Sequence, residues 1–290
     1  MKLLSFRIGD TVRPGVLLNH EVLDLTTVGT GRIPNTMEEI CKEGDRVLDV
    51  IDKATRAGEG ICLSLEDLDI TAPLHNPGKI IAIGLNYRDH ARETGSCIPQ
   101  KPIVFSKFAS TITGPQDEVR WSSAITSQVD YEVELGVVIG QSGKHINTQN
   151  ALEHVFGYMV LNDISARDLQ KSDPAGQWDL GKCLDGFCPC GPYLVTRDEI
   201  PDPQNLSLTC AVNGQVLQDS NTSEMIFSVD QLISYLSRVC TLNGGDIIAT
   251  GTPAGVGMAR DPQVFLQNGD LLETSIGQLG KQRIRIGVDL

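Results

Sequence analysis

Asp130-Tyr131-Glu132-Val133-Glu134-Leu135-Gly136-Val137-Val138-Ile139 is the stretch from which the rest of the chain is read. Side chains two apart on a strand point to the same face, so Glu132 and Glu134 present paired carboxylates. The continuation, Leu135 to Ile139, carries no polar side chain, as in a strand buried on both faces. Two carboxylates beside a buried strand repel each other unless something neutralises them. A hard cation such as Mg2+, Mn2+ or Ca2+ does this through oxygen ligands. The alternative is a solvated strand face with two glutamates of no special role.

Around this stretch the chain is strand-rich from Lys79 onward. Apolar and β-branched runs predict strands at 80–84, 103–105, 131–139, 156–163, 193–196, 206–212, 247–250, 271–276 and 283–288. Asn213-Gly214 separates two runs and favours a tight hairpin turn. Ser228 and Gln231 form a capping-box pattern that opens a helix to about 239, and Asn243-Gly244-Gly245 stops that segment. Before Lys79, strands are expected at 2–8, 14–18 and 21–25. A helix follows, capped by Thr36 and Glu39, with Gly44 placed to split it. Residues 66–79 include Pro73, Pro77 and Gly78 and read as a linker. The expected domains are therefore 1–70, small and N-terminal, and 71–290, larger. Strands and helices do not alternate regularly, which argues against a doubly wound parallel sheet. The class expected is α+β, mostly β.

The 290 residues suffice for one large domain and a small one. Hydrophobic residues make up 40% and charged residues 21%, an ordinary balance for a soluble chain. No apolar run approaches the ~20 residues that cross a bilayer, so no membrane partner is expected. The net charge of −13 lacks the basic excess of a nucleic-acid binder. An acidic protein acting on an acidic molecule needs a local positive device, either a metal or placed Arg and Lys. The eight cysteines are scattered, without a C-x-x-C pair or a zinc-type spacing. They read as reduced thiols of a cytosolic-type compartment. The first residues are too short and too soon polar for a secretory signal. The location expected is cytoplasmic, or mitochondrial if a presequence has been removed.

Four further stretches carry chemistry. In Asn162-Asp163-Ile164-Ser165-Ala166-Arg167-Asp168-Leu169-Gln170, Asp163 ends an apolar run and offers a third oxygen ligand. Arg167 is suited to grip a carboxylate through two parallel hydrogen bonds, and Gln170 to bond the same substrate. In Gln177-Trp178-Asp179-Leu180-Gly181-Lys182, continuing through Phe187, Pro189 and Pro192, Lys182 is the one cation. We expect it against a low-dielectric wall made by Trp178, Phe187 and the two prolines, where an ammonium stabilises an enolate. His90 and Glu93, in Gly84-Leu85-Asn86-Tyr87-Arg88-Asp89-His90-Ala91-Arg92-Glu93, share a helical face, and the carboxylate would orient the imidazole. Ala249-Thr250-Gly251-Thr252-Pro253-Ala254-Gly255-Val256-Gly257 is neither a phosphate loop nor a dinucleotide fingerprint. Its backbone and Thr252 hydroxyl are suited to an anionic oxygen.

Taken in order, these stretches resemble the fumarylacetoacetate hydrolase superfamily, from about residue 79 to the C-terminus, and within it the fumarylacetoacetate hydrolase domain-containing protein 2 branch. Pro102-Ile103-Val104-Phe105-Ser106-Lys107-Phe108-Ala109-Ser110 resembles that branch too. The resemblance implies a mixed β-sandwich roll of the fumarylacetoacetase C-terminal type, behind a small N-terminal α+β domain, in a homodimer. It implies metal ligands Glu132, Glu134 and Asp163. It assigns substrate contacts to Arg167, Gln170 and Thr252, and catalysis to Lys182 with the His90–Glu93 pair carried on a lid. The implied enzyme is Mg2+-dependent, with Mn2+ or Ca2+ as alternatives, and acts on a small 2-oxo or β-diketo acid. C–C hydrolysis of an acylpyruvate-like substrate stands slightly ahead. Oxaloacetate tautomerisation and decarboxylation are the alternatives, and a non-catalytic 2-oxo acid binder is the alternative of a different class.

Overall fold

In a computed structural model, which describes residues 1–29 and 31–289, the decisive stretch becomes the strand Val133–Ile139, buried throughout. It begins two residues later than the sequence suggests, because the Glu132 N–H donates to the Asn162 side chain at 3.0 Å instead of to a neighbouring strand. Val155–Asn162 flanks it on one side and Ile247–Ala249 on the other, both antiparallel. Beyond these, Ile80–Gly84 runs parallel to Ile247–Ala249, and Ile103–Lys107 closes that edge.

The same sheet continues in the other direction through Leu194–Thr196 into the N-terminal strands Lys2–Ile8, Thr11–Leu18, Glu21–Asp24 and Ile61–Ser64. The join is at Lys2 and Leu3, which pair with Val195 and Leu194. The expected linker 66–79 is partly ordered as sheet: Asp69–Thr71 pairs with Ser5, Phe6 and Arg7. Its Asp-Ile-Thr sequence was too short to register as a strand beside three turn-forming residues. The helix expected after Thr36 forms, and Gly44 (φ 61°) splits it into Met37–Glu43 and Asp45–Ala57.

A second sheet runs in the order Gln215–Asn221, Ser207–Val212, Leu271–Ile276, Gly280–Asp289, Glu118–Ser122. Asn213 and Gly214 both have positive φ (52° and 80°), the geometry of the tight hairpin turn expected there. Alternation along Val133–Ile139 ties the layers together. Val133, Leu135, Val137 and Ile139 enter the core between the two sheets with Leu208, Leu272 and Ile284. Val138, on the opposite face, packs with Met37, Ile40, Val47 and Ile51 of the N-terminal helices. Each such buried side chain is worth about 1.5–3 kcal/mol. The result is the mostly-β α+β architecture expected from the sequence.

These pairings bring three strand ends to one place. Val133 pairs with Asn162, and Gly136 with Ala249. The start of the central strand therefore lies beside Asp163 and beside Thr250-Gly251-Thr252. Asn86, fully buried just beyond Ile80–Gly84, fastens the neighbouring loops. Its amide donates to Thr250 O (2.7 Å) and Phe227 O (3.0 Å), and its carbonyl accepts from Phe227 N–H (2.9 Å). Replacing Asn86 with Ala leaves the buried Thr250 carbonyl unsatisfied, at about 1–3 kcal/mol, and removes two further bonds to the half-buried Phe227 backbone. Urea unfolding of Asn86→Ala should show a loss of at least ~2 kcal/mol; an unchanged midpoint would contradict this role.

Candidate active site

Glu132, Glu134 and Asp163 each place a carboxylate oxygen within 4.8 Å of the others, and all three are buried. Lys182 Nζ donates to Glu132 Oε2 and to Asp163 Oδ2, each at 2.7 Å. Lys107 Nζ donates to the other oxygen of Asp163 at 2.7 Å and also to the Lys182 carbonyl. The Arg167 guanidinium is shared among Asp130 Oδ2 (2.9 Å, from Nε), Glu132 Oε1 (2.6 Å, from Nη2) and Gln170 Oε1 (2.9 Å, from Nη1). Glu134 is treated differently: its Oε2 accepts the Gly251 N–H at 2.8 Å, and no ion pair reaches it among the described residues.

The electrostatics follow. Burial pushes the Glu132 carboxyl up, but Lys182 and Arg167 outweigh it and hold the group at about 2. Burial also pushes Glu134 up, and Asp163 and Glu132 push it further, so it stands well above the usual carboxylate range. Burial would lower Lys107, but Asp163 keeps it above its ordinary value.

His90 Nδ1 lies 2.7 Å from Glu93 Oε1, on the short helix Arg88–Glu93. Glu93 Oε2 accepts from Gly255 N–H (2.8 Å), and Asp89 Oδ2 accepts from Ser220 Oγ (2.6 Å), fastening the helix over the glycine-rich loop and the hairpin. The Thr252 hydroxyl donates to Val133 O (3.0 Å) and accepts from Gln218 Nε2 (2.9 Å). A cavity of about 360 Å³ is lined by His90, Glu132, Glu134, Arg167, Gln170, Lys182 and Thr252. Asp163 lies fully buried behind that lining, and Glu93 outside it. All nine residues singled out in the sequence thus fall in or directly against one site.

The wall beside Lys182 differs from expectation. Trp178 does line the cavity, but with Phe105, whose ring centroid is 5.1 Å from Lys182 Nζ. Phe187 packs edge-on against Trp121 instead, at 6.0 Å, and Pro189 and Pro192 are not in the lining. Phe187 and the prolines follow Lys182 in sequence, but the chain leaves the site after the short helix Asp179–Lys182. Lys107 and Asp130 were not singled out. Both had a strand-period signal: Lys107 shares a face with Ile103 and Phe105, and Asp130 shares one with Glu132.

The family described as fumarylacetoacetate (FAA) hydrolase C-terminal matches residues 79–287. The chain is 43% identical to oxaloacetate tautomerase fahd2, mitochondrial, of Xenopus laevis, over 97% of this chain and 88% of that one. It is 42% identical to oxaloacetate tautomerase FAHD2A, mitochondrial, of Homo sapiens, over 97% and 90%. Among solved structures it is similar to fumarylacetoacetate hydrolase (EaFAH) from psychrophilic Exiguobacterium antarcticum, with TM-score 0.86 and 37% identity over the whole of both chains. Maleylpyruvate hydrolase from Sphingobium sp. SYK-6, in complex with manganese(II) ion and pyruvate, matches with TM-score 0.82 and 29% identity, again over both whole chains. The chain belongs to the fumarylacetoacetate hydrolase family, and it is an enzyme of that family.

The donor set suits a hard cation. Oxygen ligands sit about 2.0–2.6 Å from Mg2+ or Ca2+, so two of them on one ion are at most roughly 5 Å apart. The three carboxylates meet that limit and offer oxygen alone, which disfavours soft metals. Glu134, buried and without a cation partner among the described residues, has its carboxyl pushed up, and a cation held by this set would favour its ionised form. Lys107 bears on the stability of this set. Lys107→Met leaves one side of Asp163 unpaired, and breaking a buried pair costs about 3–5 kcal/mol. The melting temperature of the metal-free variant should fall by several degrees; an unchanged melting temperature would show that Lys107 contributes nothing net.

Proposed function

We propose that this chain is a divalent-metal-dependent oxaloacetate keto–enol tautomerase. The observation that carries the reading is the buried set Glu132, Glu134 and Asp163, in which Lys182 bridges Glu132 and Asp163 while Glu132 and Glu134 line a cavity sized for a small diacid. The names of the Xenopus and human relatives, at more than two-fifths identity over nearly the whole chain, support oxaloacetate as the substrate. Glu132, Glu134 and Asp163 would hold Mg2+, with Mn2+ or Ca2+ as alternatives. The manganese complex of the Sphingobium relative supports a divalent ion. Such an ion, when bound, polarises a 2-oxo group and favours negative charge on its oxygen.

The side chains divide the remaining work. Tautomerisation breaks a C3–H bond and forms an O–H bond on the C2 oxygen. Glu93 occupies His90 Nδ1, which leaves Nε2 as the nitrogen that exchanges the C3 proton. The Lys182 ammonium, beside Phe105 and shielded from water, stabilises the developing enolate charge and can donate the proton to it. Arg167, Gln170 and Thr252 orient the acid. Arg167 enters this role with its N–H groups already shared among Asp130, Glu132 and Gln170, so it acts as a fixed positive wall as much as a clamp.

The sequence ranked C–C hydrolysis of an acylpyruvate-like acid slightly ahead. The His90–Glu93 pair would orient a water as readily as a C–H bond, and two solved relatives are named hydrolases. Hydrolysis is therefore the second reading. The names of the animal relatives favour a mitochondrial setting over a cytoplasmic one. The homodimer implied by the family resemblance belongs to the same proposal.

One NMR time course separates these outcomes, with oxaloacetate and with an acylpyruvate, each with Mg2+ and with EDTA. We expect faster keto–enol interconversion of oxaloacetate, without CO2 release, abolished by EDTA. Cleavage of the acylpyruvate would favour hydrolysis, CO2 release would favour decarboxylation, and binding without turnover would leave a 2-oxo acid binder. Glu132→Ala should lose most activity; full activity of that variant in EDTA would sink the metal reading.

His90→Ala should lose about 10²–10⁴-fold in rate while retaining oxalate affinity; lost affinity with unchanged turnover would contradict the role. Lys182→Met should lose turnover, and Lys182→Arg should not restore it, because guanidinium is bulky and effectively never deprotonated. Wild-type turnover in Lys182→Met would remove the lysine from the mechanism.

A further inference from the structure

The active-site cavity ends on an aromatic wall. Phe105 and Trp178 meet edge to face, with centroids 5.6 Å apart and planes at 64°. Behind them lies a second cavity of about 750 Å³, lined by Ile80, Ile81, Val104, Tyr235, Leu236 and Val239 among others. Ile103, Phe105 and Trp178 line both cavities. Phe105 and Trp178 thus stand between the charged cavity and a larger, mainly apolar groove whose Val104 and Val239 are exposed.

The indole is held where it is from three sides. Gly84 leaves it room: a Cβ there would fall 2.3 Å from Trp178 Cζ3 and 2.8 Å from Cη2. Phe105 packs against it. The next residue, Asp179, anchors the backbone by accepting from Ser106 N–H and Ser106 Oγ, each at 3.3 Å. Phe105 is itself fixed in the strand Ile103–Lys107 and stands over Lys182 Nζ.

We infer that Trp178 is a specificity-determining residue: its indole, seated over Gly84 and against Phe105, closes the active-site cavity and restricts this enzyme to short 2-oxo acids. With the indole removed, the charged cavity opens into the mainly apolar groove, and a long acyl tail has somewhere to go. The inference rests on the cavity being a 2-oxo acid site. Trp178 touches no reacting group in this account; it sets the length of the chamber.

The test is a chain-length series of competing ligands, acetylpyruvate, butanoylpyruvate and octanoylpyruvate, measured as inhibition constants against oxaloacetate turnover with Mg2+ present. In the wild type, affinity should fall as the chain lengthens. In Trp178→Ala the order should invert, with a gain of up to about fourfold per methylene newly buried. Trp178→Phe keeps an aromatic wall and should keep the wild-type order. Gly84→Ala drives a Cβ into the indole and should broaden the range as Trp178→Ala does, which carries the test if Trp178→Ala does not fold. A falling order retained in both Trp178→Ala and Gly84→Ala would overturn the inference, as would a wild type that already prefers long chains. If the wild type does not turn over oxaloacetate, the tautomerase reading fails. The same series, read as ligand-induced shifts in melting temperature, then still tests the wall.

Discussion

Everything at the site depends on a buried imbalance of charge. Asp130, Glu132, Glu134 and Asp163 are buried together with three cations, Lys107, Arg167 and Lys182. Ion pairs at such depth recover little of their desolvation cost, and a hydrophobic replacement is often no less stable. The arrangement is therefore poorly explained by stability alone. Its cations are also unevenly placed. Glu132 and Asp163 each receive two of them, whereas Glu134 receives only a backbone N–H. A divalent ion among the three carboxylates would supply what Glu134 lacks.

The fold makes this cluster possible by ending strands around it. Glu132 and Glu134 sit at the start of a strand whose other face is wholly apolar, so they cannot turn away without exposing core. Asp130 works at a distance from the cavity. It takes an Arg167 hydrogen bond and the N–H groups of Gly257 and Met258, so one carboxylate fixes both the guanidinium and the glycine-rich loop. Glu93 reaches the same loop at Gly255. The His90 helix, the loop and the acidic floor are thus joined by short hydrogen bonds, which is how a site is held ready before substrate arrives.

Much of this was legible in the sequence because alternation is a local signal. The pairing of Glu132 with Glu134, the hairpin at Asn213-Gly214 and the split at Gly44 each follow from residues a few positions apart. The sequence did not show what packs on what. Lys107 lay in a quoted stretch without a role, since nothing local reports that its edge strand, with three strands between it and Val155–Asn162 in the sheet, comes within hydrogen-bond reach of Asp163. Phe187 was expected beside Lys182 because it follows it in the chain, and tertiary packing placed it on Trp121 instead. The strand Glu118–Ser122 alternates polar and apolar residues but was missed because only two of its five residues, Val119 and Trp121, are apolar. It forms by pairing with the chain's last strand, Gly280–Asp289, across a separation that no local pattern reports.

Calorimetric titration of Mg2+ and of Mn2+ into metal-free protein, comparing wild type with Glu134→Gln, bears most directly on the buried imbalance. Substitutions in groups that merely support a metal ligand already cost about 10–100-fold in affinity, so loss of a charged ligand should cost at least that. The prediction is one divalent ion per chain in the wild type, binding at least ~10-fold weaker in the variant, and a variant whose metal-free form is no less stable than the wild type, because the amide oxygen still accepts the Gly251 N–H and no unpaired carboxyl is left to bury. No divalent binding by the wild type, or equal affinity in both proteins, would contradict it.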